Sequence, residues 1–449
     1  MIWRIFSRFA GALATLSLVT SPVMAQQPIT FIRDAEVENI IRAYATPVFT
    51  VAGLNAQDIG VHIINDRSLN AFVANGLNLF INSGLLIKAK TPGQVIGVIA
   101  HETGHIAGGH LARIRDGMEG ALLETIVSMV AGIAIVAASG GKNAAAGQGV
   151  MAAGQQTGLR SFLQYTREME QQADQAGCNF MDRAGISARG LLEFMEVLQG
   201  EELLAPAQQD PYVRTHPVTS ERVSFLREFV AHQRNANAKL PPEFDEMQHR
   251  MHAKLLGYLE PARALQVYKE DDQSLEARYG RAIAYSRRPD YPRALAAMDS
   301  LLAERPNDGY FLEAKAQMLF EAGKPADAVP LYDRAVEILP NEPLLRTELA
   351  QAQLGTDKAE FLKPAILNLE RAKQHDPQNR DAWRLLAVAY GRDGQIGLAS
   401  LAQAELESLR GQRAAARTFA DRAQKLLKPG SPPWQRADDI KNANTRDEN

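Results

Sequence analysis

Apolar positions change their period along this chain, and the changes mark out its parts. Val37, Ile40, Ile41 and Tyr44 recur at helical spacing within residues 33 to 52, giving one apolar helix face. Ile59, Val61 and Ile63 then alternate with Gly60, His62 and Ile64, which is the period of a strand. Asn70-Ala71-Phe72-Val73 and Leu77-Asn78-Leu79-Phe80-Ile81 bracket Ala74-Asn75-Gly76, a tight-turn signal that predicts a hairpin. The expectation is a small, mostly antiparallel sheet whose exposed edge would accept an extended peptide as a further strand. Thr91-Pro92-Gly93-Gln94 predicts a helix start, with Thr91 as N-cap, Pro92 at the first helical position and Gln94 as reciprocal capping partner. Val95, Ile96, Val98 and Ile99 give that helix an apolar body that calls for burial. Phe162 to Arg183 also has a helical pattern, stopped by Ala184-Gly185.

Between these helices the polar positions vanish. Thr125 to Gly141 contains no charged residue, and Ile126 to Ala138 is almost wholly apolar, yet the run is short for a membrane span. A hairpin or lid over residues 118–160, a peripheral contact with lipid through 121–140, and a buried core helix all fit this pattern.

The ends and the second half are patterned differently. Arg4 and Arg8, the apolar Phe9 to Val19 and the small-residue site Val23-Met24-Ala25 predict a signal peptide over 1–25 and hence export. Pro241-Pro242 breaks the chain after a first unit, 26–240. Beyond it, Pro306-Asn307 and Pro340-Asn341 recur at 34 residues, and Pro377-Gln378 follows after 37, with the extra length around Gly355-Thr356-Asp357-Lys358. That period is the tetratricopeptide signature. Ala314, Gly323, Ala328, Tyr332, Ala335 and Pro340 fill its packing positions, and Trp383, Ala387, Tyr390, Gly394 and Ala399 repeat the theme. A repeat unit over 241–430 would form a concave surface for protein segments. The polar tail 431–449 is expected to be disordered.

Composition removes some classes of function. The 449 residues suffice for two or three domains, the formal net charge is −3 and no long basic run occurs, so nucleic acid is not an expected partner. Cys178 is the only cysteine, so no intramolecular disulfide exists despite the export signal, and its Ala176-Gly177-Cys178 setting predicts a small buried residue.

Candidate chemistry sits in His101-Glu102-Thr103-Gly104-His105. Residues four apart share a helix face, so both imidazoles can bind one metal while Glu102 reaches a water at that point. Two histidines do not close such a site. His110 lies five residues past His105, roughly 140° around a continued helix, and is expected to face solvent rather than the metal. Glu170 and Asp174 are four apart on the second helix. One can bind the metal while the other accepts the ring N–H of a ligating histidine. Glu168 is a rival, but the residue four positions on is Gln172, an uncharged amide.

These motifs in this order, with Asn70-Ala71-Phe72 upstream and Thr215-His216-Pro217 and Arg222 downstream, resemble gluzincin peptidases of the CAAX-prenyl-protease and HtpX type over residues 33 to 230. The resemblance implies a mainly α chain: an α+β gluzincin-type metallopeptidase domain followed by a tetratricopeptide α-solenoid. It implies that His101, His105 and Glu170 bind one Zn2+, that Glu102 is the general base, and that Asp174 fixes a ligating ring, that of His101. His216 would lie near the metal, either as a fourth ligand that blocks water or as a donor to the oxyanion. Arg222 would orient that loop or stabilise developing charge. An exported peptidase fused to such repeats resembles the beta-barrel assembly-enhancing proteases of the Gram-negative periplasm. That implies unfolded or stalled outer-membrane proteins as clients, and contact with their assembly machinery through the repeats. A chaperone or scaffold with a largely auto-inhibited metal site is the competing expectation. A prenyl-protein-type processing enzyme is disfavoured, since export removes cytosolic substrates.

Overall fold

The computed structural model describes residues 30–74, 77–110, 166–202 and 216–446. The expected signal peptide and the apolar hairpin over 118–160 lie outside the described residues. No described helix is long and apolar enough to cross a membrane.

The first unit wraps helices around a four-stranded sheet of β1 (Phe31–Ile32), β2 (Gly60–Ile64), β3 (Ala71–Ala74) and β4 (Asn78–Asn82), in the order β1-β2-β4-β3. The outer pairings are antiparallel, as the hairpin pattern predicts, but the central pair β2/β4 is parallel. Side-chain alternation specifies which face is buried and leaves strand direction open. Ala71, Val73, Leu79, Ile81, Val61 and Ile63 point into the core. The opposite face carries stacked rings, with His62 4.7 Å and Phe72 5.0 Å from Phe80. The strand β3, half of the expected hairpin, forms one edge of the described sheet and packs on the helix that carries His101 and His105.

Six described helices frame the site. The helix α1 (Ala35–Val51) starts at Asp34, whose carboxylate accepts the Val37 N–H, and buries the predicted Val37, Ile40, Ile41 and Tyr44. A short helix α2 (Ser83–Lys88) follows the sheet. The helix α3 (Pro92–Ala107) is capped by Thr91, and the Gln94 side chain reaches back to the Lys90 N–H at 2.7 Å. The helix α4 (166–183) ends at Gly185 in the left-handed region, φ 74°. After α5 (Arg189–Glu202), a loop beginning at His216 enters α6 (Ser220–His232) through the Thr219 cap. Cys178 is fully buried on α4, and burial pushes its thiol up.

The predicted break at Pro241-Pro242 starts a helix rather than a linker. Helix α7 (Pro242–Leu259) turns Phe244, Met251 and Leu255 into the first core and Ala253 and Leu256 into the next. Its charges tie the units together. Arg250 binds Glu36 of α1 at 2.6 Å and Asp308 of the repeats at 2.5 Å, while Lys254 reaches Asp34 at 2.7 Å and Glu313 at 3.3 Å. Each of these charges is buried against partners of opposite sign, the condition for tolerating them away from water.

Helix pairs then stack: Leu275–Arg287 with Tyr291–Glu304, Gly309–Glu321 with Pro325–Ile338, Pro343–Gly355 with Leu362–His375, and Arg380–Arg392 with Ile396–Leu409. Pro306, Pro340 and Pro377 fall in the turns between pairs, and a 3-10 turn at Ala359–Phe361 takes up the longer interval. The tail corrects its expectation. Pro432–Arg446 is a helix, packed on Arg413–Leu426 through Ala437 and Ile440 and tied by Arg436 to Glu405 at 2.6 Å. Among its described side chains the buried hydrophobics are Ala437 and Ile440, so its polar composition disguised it.

Candidate metal centre

The polar side chains near the C-terminal end of α3 meet those of α4. His101 and His105, one helical turn apart, bring their Nε2 atoms to 3.1 Å. Glu170 closes the third corner, with Oε2 3.4 Å from His101 Nε2 and Oε1 3.4 Å from His105 Nε2. His216 adds Nδ1 at 3.0 Å from Glu170 Oε1. One potential ligand atom from each of these four buried residues lies within 4.8 Å of the others.

Each group is held from outside. Asp174 Oδ1 takes the His101 Nδ1 hydrogen at 2.9 Å, which turns Nε2 toward the centre. Arg222, fully buried, grips Asp174 through Nε at 2.6 Å and Nη2 at 2.9 Å. Its Nη1 lies 3.0 Å from Glu170 Oε2 and donates to the Pro217 carbonyl at 2.9 Å, so one guanidinium joins both carboxylates to the His216 loop. Glu168 is absent from the cluster, which leaves Glu170 as the carboxylate at the centre.

The electrostatics match a site built for a cation. Burial opposes charge on His101, but hydrogen bonds to Asp174 and Glu170 pull it up to about 10. Burial and the neighbouring His101 hold His105 well below the ordinary histidine range, so its ring is a neutral donor. Burial would raise Glu170, yet His216 and His101 draw it well below the usual carboxylate range. Asp174 is lowered too, with Arg222 outweighing its burial. Glu102 behaves oppositely: burial pushes its carboxyl up, against the pull of His216 and His101.

Whether these residues suit a metal is decided by Glu102. Its Oε1 is buried with no hydrogen-bond partner among the described residues, 3.9 Å from His216 Nε2. A buried carboxylate oxygen wants a donor, and a water beside two imidazoles and a carboxylate would supply it. Two nitrogens and one oxygen, all turned inward, form a donor set that fits a divalent cation.

One residue departs from its sequence expectation. His110 is buried, not solvent-facing: its Nδ1 lies 3.0 Å from His105 Nδ1 and its Nε2 3.3 Å from Gln172 Oε1. The signal was present in Gly108-Gly109, which ends the helix before His110, so extrapolating helical geometry past them fails. Gln172, set aside as an uncharged amide, is the far end of that chain of contacts.

A helix bearing two histidines and a glutamate, crossed by a second helix that contributes a carboxylate, defines a metal-dependent peptidase. Residues 32–230 match the profile of peptidase family M48, and residues 262–309 and 279–343 match the tetratricopeptide repeat. The chain thus carries a family M48 peptidase domain followed by tetratricopeptide repeats, and it is a metalloprotease. It is 26% identical to the beta-barrel assembly-enhancing protease of Yersinia pestis over 395 residues, 84% of this chain and 77% of the relative. The protein of that name from Escherichia coli (strain K12) is also 26% identical, over 84% of this chain and 76% of its own. Metalloprotease LoiP of the same strain is 29% identical over 194 residues, 41% of this chain and 70% of its own.

Proposed function

We propose that this chain is an exported, zinc-dependent endopeptidase of the Gram-negative periplasm. It hydrolyses peptide bonds in misassembled or stalled outer-membrane proteins, and its repeats engage those clients or their assembly machinery. The observation that carries the peptidase reading is the buried Glu102 Oε1, which has no hydrogen-bond partner among the described residues, beside His101, His105 and Glu170. The client class is supported by the names of relatives that align with most of the chain.

His101, His105 and Glu170 would hold a zinc ion, which when bound would lower the pKa of a water and polarise a carbonyl. Glu102 accepts the proton of the attacking water and delivers it to the leaving amine, a task favoured by the upward push that burial gives its carboxyl. Asp174 keeps the His101 ring in its binding tautomer. Arg222 acts by holding both carboxylates and the Pro217 carbonyl, since its three nitrogens are already engaged with them. His216, beside Glu170, would serve as a fourth ligand at rest or, swung aside, as a donor to the oxyanion.

The substitution Glu102→Gln tests the enzyme reading. It should bind metal like the parent and cleave an unfolded protein at least 100-fold more slowly. The contact of His216 with Glu170 favours the second reading, a chaperone or scaffold for outer-membrane protein assembly whose metal site is mostly shut. Full rescue of a deletion strain by Glu102→Gln would select it.

A further inference from the structure

Each ligating imidazole needs something on its outer nitrogen to fix its tautomer and tilt. For His101 that is Asp174. For His105 the outer nitrogen is Nδ1, and the group against it is another imidazole, the Nδ1 of His110 at 3.0 Å. His105 turns its Nε2 inward, so its Nδ1 carries the hydrogen and donates to His110. That leaves the hydrogen of His110 on Nε2, from which it donates to Gln172 Oε1 at 3.3 Å. Gln172 is two residues from Glu170 on α4, so this chain of bonds also links the two metal-bearing helices.

The backbone is shaped for this contact. Helix α3 stops at Ala107, and Gly109 adopts φ 63°, a left-handed turn that folds His110 back over the helix end. Gly108 leaves room for the ring: a β-carbon there would stand 2.3 Å from His110 Nε2. His110 is buried, as a solvent-facing loop histidine would not be.

We propose that His110 is a positioning residue for the metal centre, which sets the tautomer and orientation of His105 through the chain His105–His110–Gln172. The role rests on the metal-centre reading above, and it concerns a neutral imidazole where His101 has a carboxylate. A neutral acceptor leaves His105 a weaker, less charged donor than His101, while still preventing the ring from flipping its hydrogen onto Nε2.

The test is metal affinity, measured by chelator competition on the full chain, alongside thermal melting of the metal-free protein. His110→Phe keeps a ring but removes the acceptor, and should weaken metal binding by about 10–100-fold without lowering the melting temperature of the metal-free form. His110→Asn offers an oxygen near the Nδ1 position and should recover most of that loss. Gln172→Leu, which removes the acceptor of His110 Nε2 at an exposed position, should weaken binding by a smaller factor. Parental affinity in both His110→Phe and Gln172→Leu would overturn the proposal. So would equal losses in His110→Phe and His110→Asn accompanied by a lower melting temperature, which would mark packing alone. A parent that binds no metal would fail the metal-centre reading itself, and the positioning role with it.

Discussion

Gly104 and Ala173 touch backbone to backbone: a β-carbon on Gly104 would stand 2.6 Å from the Ala173 carbonyl oxygen. This crossing of α3 and α4 sits one residue from His105 and three from Glu170, so it sets how closely the third ligand approaches the histidine pair. Gly177 repeats the contact one turn further along α4, at the middle of α3, where an added β-carbon would lie 3.0 Å from the Ala100 carbonyl. Small residues at both points let the two helices come close enough to bring Glu170 within 3.4 Å of both imidazoles.

Gly104→Ala is therefore expected to damage the site without touching a ligand. Overpacking at a helix crossing costs about 1–3 kcal/mol, and separating α3 from α4 should also reduce bound metal. Urea unfolding and metal analysis on the same sample check this. Unchanged metal content with unchanged stability would mean the crossing is looser than described.

Arg222→Met leaves the Asp174 and Glu170 carboxylates buried without their shared cation. Breaking a buried ion pair from one side costs about 3–5 kcal/mol, and the loss should appear in the metal-free protein as well. If the variant instead keeps its stability and loses only kcat, Arg222 acts on the developing charge of the reaction.

Much of this was legible in the chain, for physical reasons. The capping signals around Thr91 and the four-residue spacings His101/His105 and Glu170/Asp174 are local, and a helix converts each spacing into a shared face. Tertiary features were less accessible. The parallel pairing of β2 with β4 and the two-residue β1 depend on partners distant in sequence. His110 was misread because a single left-handed residue, Gly109, redirects the chain. The C-terminal helix hid behind a polar composition, since Ala437 and Ile440 are the buried hydrophobics it contributes.

The junction between peptidase and repeats should carry a pH signature. Burial raises Glu313 to about 7 and pushes Glu348 well above its ordinary range, and the Glu348 Oε2 has no hydrogen-bond partner among the described residues. A carboxyl whose folded pKa is raised contributes stability that is complete below its unfolded value, near 4.3. That contribution is lost as pH rises through the folded value, for Glu313 about 7. Glu348→Gln removes one of these charges and relieves the other. It should melt higher than the parent at pH 8, by about 2–4 °C per kcal/mol regained, with little difference at pH 5. The same pH dependence in parent and variant would contradict this account of the junction.

On the proposed function, His101 and His105 of one helix and Glu170 of another bind a single zinc ion. Elemental analysis of the purified chain beside its Glu170→Ala variant tests it most directly. Zinc should be present in equal molar ratio with the parent and scarce in the variant, both folded by circular dichroism. Equal metal in the two proteins, or none in the parent, would contradict it.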